Sequence, residues 1–286
     1  MLHWFSVPVL LDSARRAIIS GIFGSYADRR LIHAALDETI IEKECDYTGK
    51  MKPNTNGEIW VDYVADIGDG FDSTYTIAYL LGQKVIKIGD NYNLPRGQVL
   101  IMGGDEVYPT ATRKEYKRRM ETPYNYAFPR SKIDGADNPP VFFIPGNHDW
   151  YDGLTLFLAK FCSGKETSLG SWKAYQSRSY FAVKLPSNWW IWGLDTQLGE
   201  DIDQPQKKYF IDIAEANKSN DTAKIILCSS VPTWLKVDSK DENERKKFGM
   251  GIDHIATLVI KEYWPSANIY VVLSGDQHHY SRYTAE

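Results

Sequence analysis

The chain has 286 residues, of which 43% are hydrophobic and 24% are charged, and these fractions are those of an ordinary folded globular protein. Its formal net charge of -4 excludes a broad basic surface, so we expect no unspecific binding to nucleic acid. Cys45, Cys162 and Cys228 are widely separated and form no CxxC pair, which indicates a reducing compartment rather than a disulfide framework.

The first 55 residues show a helical pattern. Apolar residues recur at intervals of three and four over residues 8–45, and Gly21 and Gly24 divide this pattern into two predicted helices. No cleavage signal follows the apolar start, and no uncharged apolar run reaches the ~18 residues of a membrane-spanning helix. We therefore expect a soluble, cytoplasmic protein with an N-terminal helical extension over residues 1–55, followed by a main domain over residues 56–286.

In the main domain, short apolar runs alternate with helical patterns, which predicts a layered α/β fold. The predicted strands cover residues 59–65, 98–102, 141–144, 180–183, 189–194, 224–228 and 269–273. The predicted helices cover residues 73–81, 113–121, 154–161, 204–216 and 252–262. A long stretch rich in Pro, Asn and Tyr ends at Pro140, and it predicts either an insertion beside a substrate cleft or a plain surface excursion.

Four acidic clusters follow predicted strands, at residues 66–72, 103–106, 146–149 and 274–279. Functional groups gather at the carboxyl ends of strands in open α/β sheets. Carboxylates brought together at such an edge repel one another unless cations lie among them, since burying unpaired charge costs several kcal/mol. The four clusters therefore predict two divalent metal ions ~3.5–4 Å apart, with a bridging carboxylate.

The third cluster, Gly146-Asn147-His148-Asp149, follows the apolar run 141–144 and presents a carboxamide, an imidazole and a carboxylate in succession. A turn with ordinary Asx hydrogen bonding is the alternative interpretation of this cluster alone. The three other clusters in the same order along the chain favour an active-site edge.

Together the clusters resemble the calcineurin-like, binuclear metallophosphoesterases over about residues 60–279. The pattern of that family is Asp-x-His, Gly-Asp-x-x-Asp, Gly-Asn-His-Asp/Glu, a strand-end His and Gly-His-x-His, and the third motif matches completely. The resemblance implies a four-layer αββα sandwich. It also implies a metal-dependent hydrolase in which a metal-bridging hydroxide attacks the phosphorus of a phosphomonoester or phosphodiester.

The resemblance further implies a set of metal ligands. Asp66 and His278 would bind the first ion, and Asp105 would bridge both ions. Asn147 would bind the second ion through its carboxamide oxygen. Such an oxygen-rich site favours manganese or magnesium, with iron possible and zinc less favoured.

The chain departs from the family pattern at several positions. Three histidines are replaced, by Gly68 in the first motif, by Ser230 at the strand end and by Asp276 in the last motif. Tyr108 stands where the second motif has its last Asp. Asp276 is expected as a metal ligand in place of the missing His, with a turn cap as the alternative. Asp69 is a second candidate ligand, with a helix N-cap as the alternative.

The resemblance implies catalytic roles in the third motif. His148 would be the general acid for the leaving group, and Asp149 would orient its imidazole. Trp150 and Tyr151 follow directly and are candidate walls of the substrate cleft. Arg178 is a candidate phosphate contact by its charge, with a surface ion pair as the alternative.

Two functions agree with these residues. The first is a metal-dependent phosphoesterase acting on a phosphate-ester substrate. The second is a catalytically decayed binding or regulatory protein of the same fold, which the replaced histidines would explain. The intact residues 147–149 favour the enzyme, since a decayed site has no need of an acid and its orienting group.

Overall fold

A computed structural model describes residues 6–23, 45–130, 138–163, 166–196, 201–219, 222–232 and 250–284. The first predicted helix is present as α1 (Val7–Phe23). The second one, predicted within residues 24–44, lies outside the described residues. In the described part of the chain, no helix has the combination of length and hydropathy needed to cross a bilayer.

The strands of the described residues form two main sheets and two hairpins. They are β1 (Val61–Val64), β2 (Val85–Ile88), β3 (Tyr92–Pro95), β4 (Val99–Met102), β5 (Val141–Phe143), β6 (Thr167–Leu169), β7 (Trp172–Ala174), β8 (Phe181–Lys184), β9 (Trp189–Leu194), β10 (Lys224–Ser229) and β11 (Asn268–Ser274). One sheet has the order β1-β4-β5 and is parallel throughout. The other has the order β11-β10-β9-β8, with β8 antiparallel to β9.

Helices connect these strands. They are α2 (Phe71–Gly82), α3 (Arg113–Glu115), α4 (Thr122–Ala127), α5 (Asn147–Trp150), α6 (Thr155–Phe161), α7 (Gln204–Asn217), α8 (Met250–His254) and α9 (Lys261–Tyr263). A π-helical segment, Tyr116–Glu121, joins α3 to α4, and another, Ile255–Ile260, joins α8 to α9. The long stretch that ends at Pro140 therefore contains α4.

Alternating side chains along the strands divide the interior into layers, because successive residues of a strand point to opposite faces. In β4, Val99 and Ile101 pack between the two sheets, whereas Leu100 and Met102 pack against the helices that cover the first sheet. In β9, Ile191 belongs to the layer between the sheets. The outer face of the second sheet packs against α7 and the segment Ile255–Ile260. This is the predicted αββα arrangement of an α/β protein.

The chain joins this core before residue 56. Tyr47 and Met51 are buried in the layer between the sheets, and the Tyr47 N–H donates to the Lys184 carbonyl at 2.9 Å. The sequence placed these residues in the N-terminal extension. The structure packs residues 45–51 with the main domain instead, because two large apolar side chains are buried there.

The seven predicted strands are all present, with ends that differ by two residues or fewer. The hairpins β2-β3 and β6-β7 were not predicted. Most of β2 and half of β3 are exposed, so the apolar alternation that marks a half-buried strand is absent there.

The carboxyl ends of β1, β4 and β5 meet that of β11 at one edge of the molecule. The Gly103 N–H donates to the Val64 carbonyl at 2.7 Å, and the Asp66 N–H donates to the Gly104 carbonyl at 3.0 Å. The Asp276 N–H donates to the Asp66 carboxylate at 2.9 and 3.1 Å. These bonds join the edge strands of both sheets at the place where the acidic clusters follow them.

Candidate metal centre

Three of the predicted metal ligands converge at this edge. One donor atom from each of Asp66, Asp105 and His278 lies within 4.8 Å of the other two, a separation that a single metal ion can span. The Asp66 side chain is 13% exposed and Asp105 is 3% exposed, whereas the His278 side chain is 57% exposed. An ion held here would have buried carboxylates on one side and an open face on the other, where a substrate can approach.

Four of the predicted ligand residues share an uncommon backbone conformation. Asp66, Asp105, Asp276 and His278 all have φ angles between +52° and +73°, a region that few residues other than glycine adopt. Such strain persists where the surrounding structure imposes it, and it concentrates at functional sites. The turns after β1, β4 and β11 therefore hold the predicted ligands at a conformational cost.

Tyr108 lies in the middle of the three-ligand group, which the sequence did not predict. Its hydroxyl lies 3.1 Å from Asp105 Oδ2, 3.2 Å from His278 Nε2 and 3.4 Å from Asp66 Oδ1. Burial, together with these carboxylates, raises the pKa of the phenol, so the hydroxyl keeps its proton and donates to a carboxylate. A cation bound among the same oxygens would instead lower the pKa of the phenol. It would favour the phenolate, which is a further oxygen ligand.

The backbone around Gly68 leaves no space for the histidine of the first motif. A Cβ at this position would lie 2.3 Å from both the Glu106 carbonyl oxygen and Val107 Cα, so no side chain fits without moving that backbone. The Tyr108 N–H donates to the Gly68 carbonyl at 3.1 Å. Two departures from the family pattern, Gly68 and Tyr108, are thus neighbours in space, and the Tyr108 hydroxyl occupies the place beside Asp66.

The Asn147 carboxamide has one buried oxygen that could bind a metal ion. Its Oδ1 is buried and accepts no hydrogen bond from the described residues, whereas its Nδ2 donates to the Tyr151 hydroxyl at 3.3 Å. Buried polar atoms nearly always have a partner, so a buried acceptor without one needs an explanation. A cation bound to this oxygen supplies that explanation.

Asp105 contacts both Tyr108 and the third motif. Its Oδ2 accepts from Tyr108, on the side of Asp66 and His278, and its Oδ1 accepts from the His148 N–H at 3.0 Å. A Cβ at residue 146 would lie 2.0 Å from Asp105 Oδ1, so only glycine allows this close approach. The two carboxylate oxygens therefore face different sides, which is compatible with a bridging ligand.

Two other predicted ligands, Asp69 and Asp276, lie outside the three-ligand group, as does Ser230, which replaces the strand-end histidine. The Asp69 carbonyl accepts from Arg119, and Asp69 lines a cavity of about 560 Å³ that Asp66 also borders. Asp276 contacts Asp66 through its main-chain N–H, and its own Oδ2 accepts from Gln277 at 3.3 Å. Ser230 is buried against the Gly104 turn. The Tyr108 hydroxyl is an additional oxygen that lies beside Asp66.

A main-chain carbonyl holds the His148 ring. Nδ1 lies 2.7 Å from the Pro109 oxygen, so Nδ1 bears the hydrogen and Nε2 remains for proton exchange. The ring packs against Tyr108 at 4.5 Å and Tyr151 at 4.7 Å between centroids. Burial lowers the pKa of His148, while the Pro109 carbonyl and the Asp276 carboxylate act in the opposite direction.

Asp149 has a different place from the one that the resemblance implied. It is fully buried, and its Oδ2 accepts from the Gly146 N–H at 3.0 Å and the Glu106 N–H at 3.2 Å. Its Oδ1 accepts from the Tyr116 hydroxyl at 2.7 Å. Asp149 thus ties the turn after β4 to the turn after β5, and Pro109 rather than Asp149 orients His148.

Several buried carboxyl groups share this region. Burial raises the pKa of Asp66, Asp105 and Glu106, and neighbouring carboxylates raise each of them further. Both Glu106 carboxyl oxygens are buried and accept no hydrogen bond from the described residues. A divalent cation offsets repulsion of this kind, so the charge distribution fits a metal centre.

Two of the three predicted substrate contacts lie in the interior. Trp150 is 2% exposed, and its indole N–H donates to Asp195 at 3.1 Å. Arg178 is 6% exposed and lies over the Tyr209 ring, 5.5 Å from its centroid. Tyr151 is half-buried beside Asn147, at the edge of the centre. Trp150 therefore supports the third motif from behind, since its aromatic surface is used in the core.

Comparison with known proteins agrees with this geometry. A family model described as calcineurin-like phosphoesterase matches residues 59–280, from just before β1 to just beyond His278. No curated protein gives a significant match to the chain.

Proposed function

The chain belongs to the calcineurin-like phosphoesterase family, and on this premise we propose that it hydrolyses a phosphomonoester or a phosphodiester with two divalent cations. The observation that supports the proposal most directly is the convergence of Asp66, Asp105 and His278, together with the buried Asn147 oxygen that accepts no hydrogen bond from the described residues. These four groups come from the ends of three parallel strands and from β11, in the order that the family motifs require.

The residues fit two cations that share one carboxylate. Asp66, Asp105 and His278 would hold the first, with the Tyr108 oxygen available beside them. Asp105 and Asn147 would hold the second. Bound cations polarise the phosphoryl oxygens and lower the pKa of coordinated water toward neutrality. Because most of these donors are oxygens, we propose manganese or magnesium, with iron as the alternative and zinc less favoured.

His148 supplies the proton to the leaving group in this proposal. Its Nδ1 is engaged by the Pro109 carbonyl, so Nε2 is the nitrogen that exchanges a proton with the substrate. Burial lowers the pKa of His148, which makes its imidazolium form a stronger acid. Tyr151, which packs on the imidazole, bounds the space where the alcohol group of the ester would lie.

The alternative is a non-catalytic protein of the same fold. The replaced histidines motivate it, but the Tyr108 hydroxyl lies 3.4 Å from Asp66 Oδ1 and offers a further oxygen there. The strained turns at Asp66 and Asp105 also favour an active site, since a decayed site has no need of their conformational cost.

Metal content and ester hydrolysis test the proposal together. We expect about two manganese ions per chain by elemental analysis, and release of p-nitrophenol from mono- or bis-p-nitrophenyl phosphate. Asp105→Asn should lose both metal and activity with little change in melting temperature. Asp212→Asn, a change at an exposed residue of α7, is the matched control and should leave both unchanged. Fewer than about one ion per chain, with no hydrolysis of either ester, would contradict the proposal.

A further inference from the structure

A second cavity lies at the opposite ends of the strands that bear the metal centre. It has a volume of about 530 Å³ and is bordered by Gln98, directly before β4, and by Pro140, directly before β5. The predicted metal ligands follow the other ends of these strands. The four residues of β4 separate the two ends by ~13 Å, so the cavity is distinct from the metal centre.

Positive charge dominates the wall of this cavity. Four basic side chains line it, and none of the described residues that line it is acidic. The basic residues are Lys50, Lys84, Arg96 and Lys173. The whole chain has a net charge of -4, so this local excess of cations is not a consequence of its composition.

Two of the four cations have no carboxylate partner within ion-pairing distance among the described residues. Lys84 is exposed, and Lys50 Nζ lies 4.7 Å from the centroid of the Tyr47 ring. Lys173 is 3.3 Å from Glu166, which neutralises part of its charge. Lys50 and Lys84 therefore provide most of the charge that an anionic ligand would meet.

Arg96 lines the cavity and is held in place by contacts of its guanidinium. Its Nη1 donates to the Gly82 carbonyl at 3.0 Å, and its guanidinium lies 4.5 Å from the centroid of the Phe128 ring. Asp62 lies near Arg96, but its Oδ2 accepts from the Gly97 N–H at 2.8 Å. A guanidinium fixed on both sides needs little reordering when it meets an anion.

We infer that this cavity is a second ligand site, which binds a small polyanion with two or more linked phosphate groups. Its volume is within the range of small-molecule sites. A ligand with one carboxylate could not meet Lys50, Lys84 and Arg96 together, whereas an oligophosphate presents several negative charges on adjacent groups. Lysine ammonium and arginine guanidinium groups are the usual protein partners of phosphate.

Calorimetric titration of the whole chain with inorganic tripolyphosphate tests this inference. EDTA is added so that the metal centre holds no cation and its carboxylates repel the anion. We expect a 1:1 complex, and about 10-fold weaker binding for the double variant Lys50→Gln/Lys84→Gln. Lys87→Gln is the matched control, since Lys87 is exposed on the same hairpin as Lys84 but does not line the cavity. It should bind within about 2-fold of the unchanged protein.

Two further measurements separate this site from the metal centre and identify the source of the phosphate. Asp105→Asn should bind tripolyphosphate as the unchanged protein does, even if the chain hydrolyses no ester. Adenosine triphosphate should bind in the same cavity, and tighter binding than tripolyphosphate would point to a nucleotide. Absence of binding below about 1 mM, or equal affinity in the double variant and in Lys87→Gln, would overturn the inference. Melting temperatures confirm that each variant is folded.

Discussion

Replacement of Asp149 tests whether this carboxylate joins the two turns that bear Asp105 and Asn147. Asp149→Ala leaves three buried donors without an acceptor, namely the N–H groups of Glu106 and Gly146 and the Tyr116 hydroxyl. Each unsatisfied buried donor costs ~1–3 kcal/mol, and the costs overlap because the donors share one space. We therefore expect about 4 kcal/mol lower free energy of unfolding, together with weaker metal binding.

Asp149→Asn should behave differently from the alanine variant. The carboxamide oxygen can accept from both N–H groups, and its NH₂ can donate to the Tyr116 oxygen. Burial raises the pKa of Asp149 from 3.8 to about 6, although its three donors act in the opposite direction. In metal-free protein the folded state therefore keeps this proton to a higher pH than the unfolded chain does. The contribution of this proton to the free energy of unfolding is fully present below about pH 4. It decreases by about 3 kcal/mol as the pH rises through about 6.

Urea denaturation in EDTA at pH 5 and pH 8 measures both effects. Asp149→Asn should match the unchanged protein near pH 5 and should lose less stability on going to pH 8. Asp149→Ala should be the least stable of the three proteins at pH 5. If alanine leaves the urea midpoint unchanged while Asp149→Asn loses as much activity as His148→Ala, then Asp149 acts on His148 and the reasoning from the hydrogen-bond network is wrong.

Three more predictions concern residues at the candidate metal centre. Tyr108→Phe should weaken manganese affinity about 10-fold or more, measured by calorimetry, because the hydroxyl contacts three ligand groups; equal affinity would exclude a role in metal binding. His148→Ala should slow the hydrolysis of phenyl phosphate ~10²–10⁴-fold. It should slow the hydrolysis of p-nitrophenyl phosphate less, because the nitrophenolate leaving group needs little protonation. Equal losses in kcat for the two substrates would argue against a general acid. Gly68→Ala should lower the urea midpoint and the metal content, because its Cβ would meet the Glu106 carbonyl at 2.3 Å; an unchanged midpoint would show that this turn yields easily.

Much of the fold follows from local sequence. The strand Trp189–Leu194 was predicted with its observed ends, because a buried strand bounded by polar residues has a near-continuous apolar run. The hairpin β2-β3 was missed because its residues are largely exposed, and exposure removes the apolar alternation. The helical stretch after β4 extends to Ala127, beyond its predicted end, although Pro123 lies within it. Pro123 comes just after the π-helical segment Tyr116–Glu121, where the regular α-helical hydrogen-bond pattern is already interrupted.

The sequence by itself determined the order of the motifs and the strand ends that they follow, since both depend on neighbouring residues. It also identified Asp66, Asp105 and His278, which the fold brings within 4.8 Å. Only the tertiary structure decided what lies between them. Tyr108 enters the centre because the backbone closes around Gly68, and Trp150 turns into the core toward Asp195. Such contacts depend on side-chain direction and on packing between residues far apart in the chain, which no local pattern specifies.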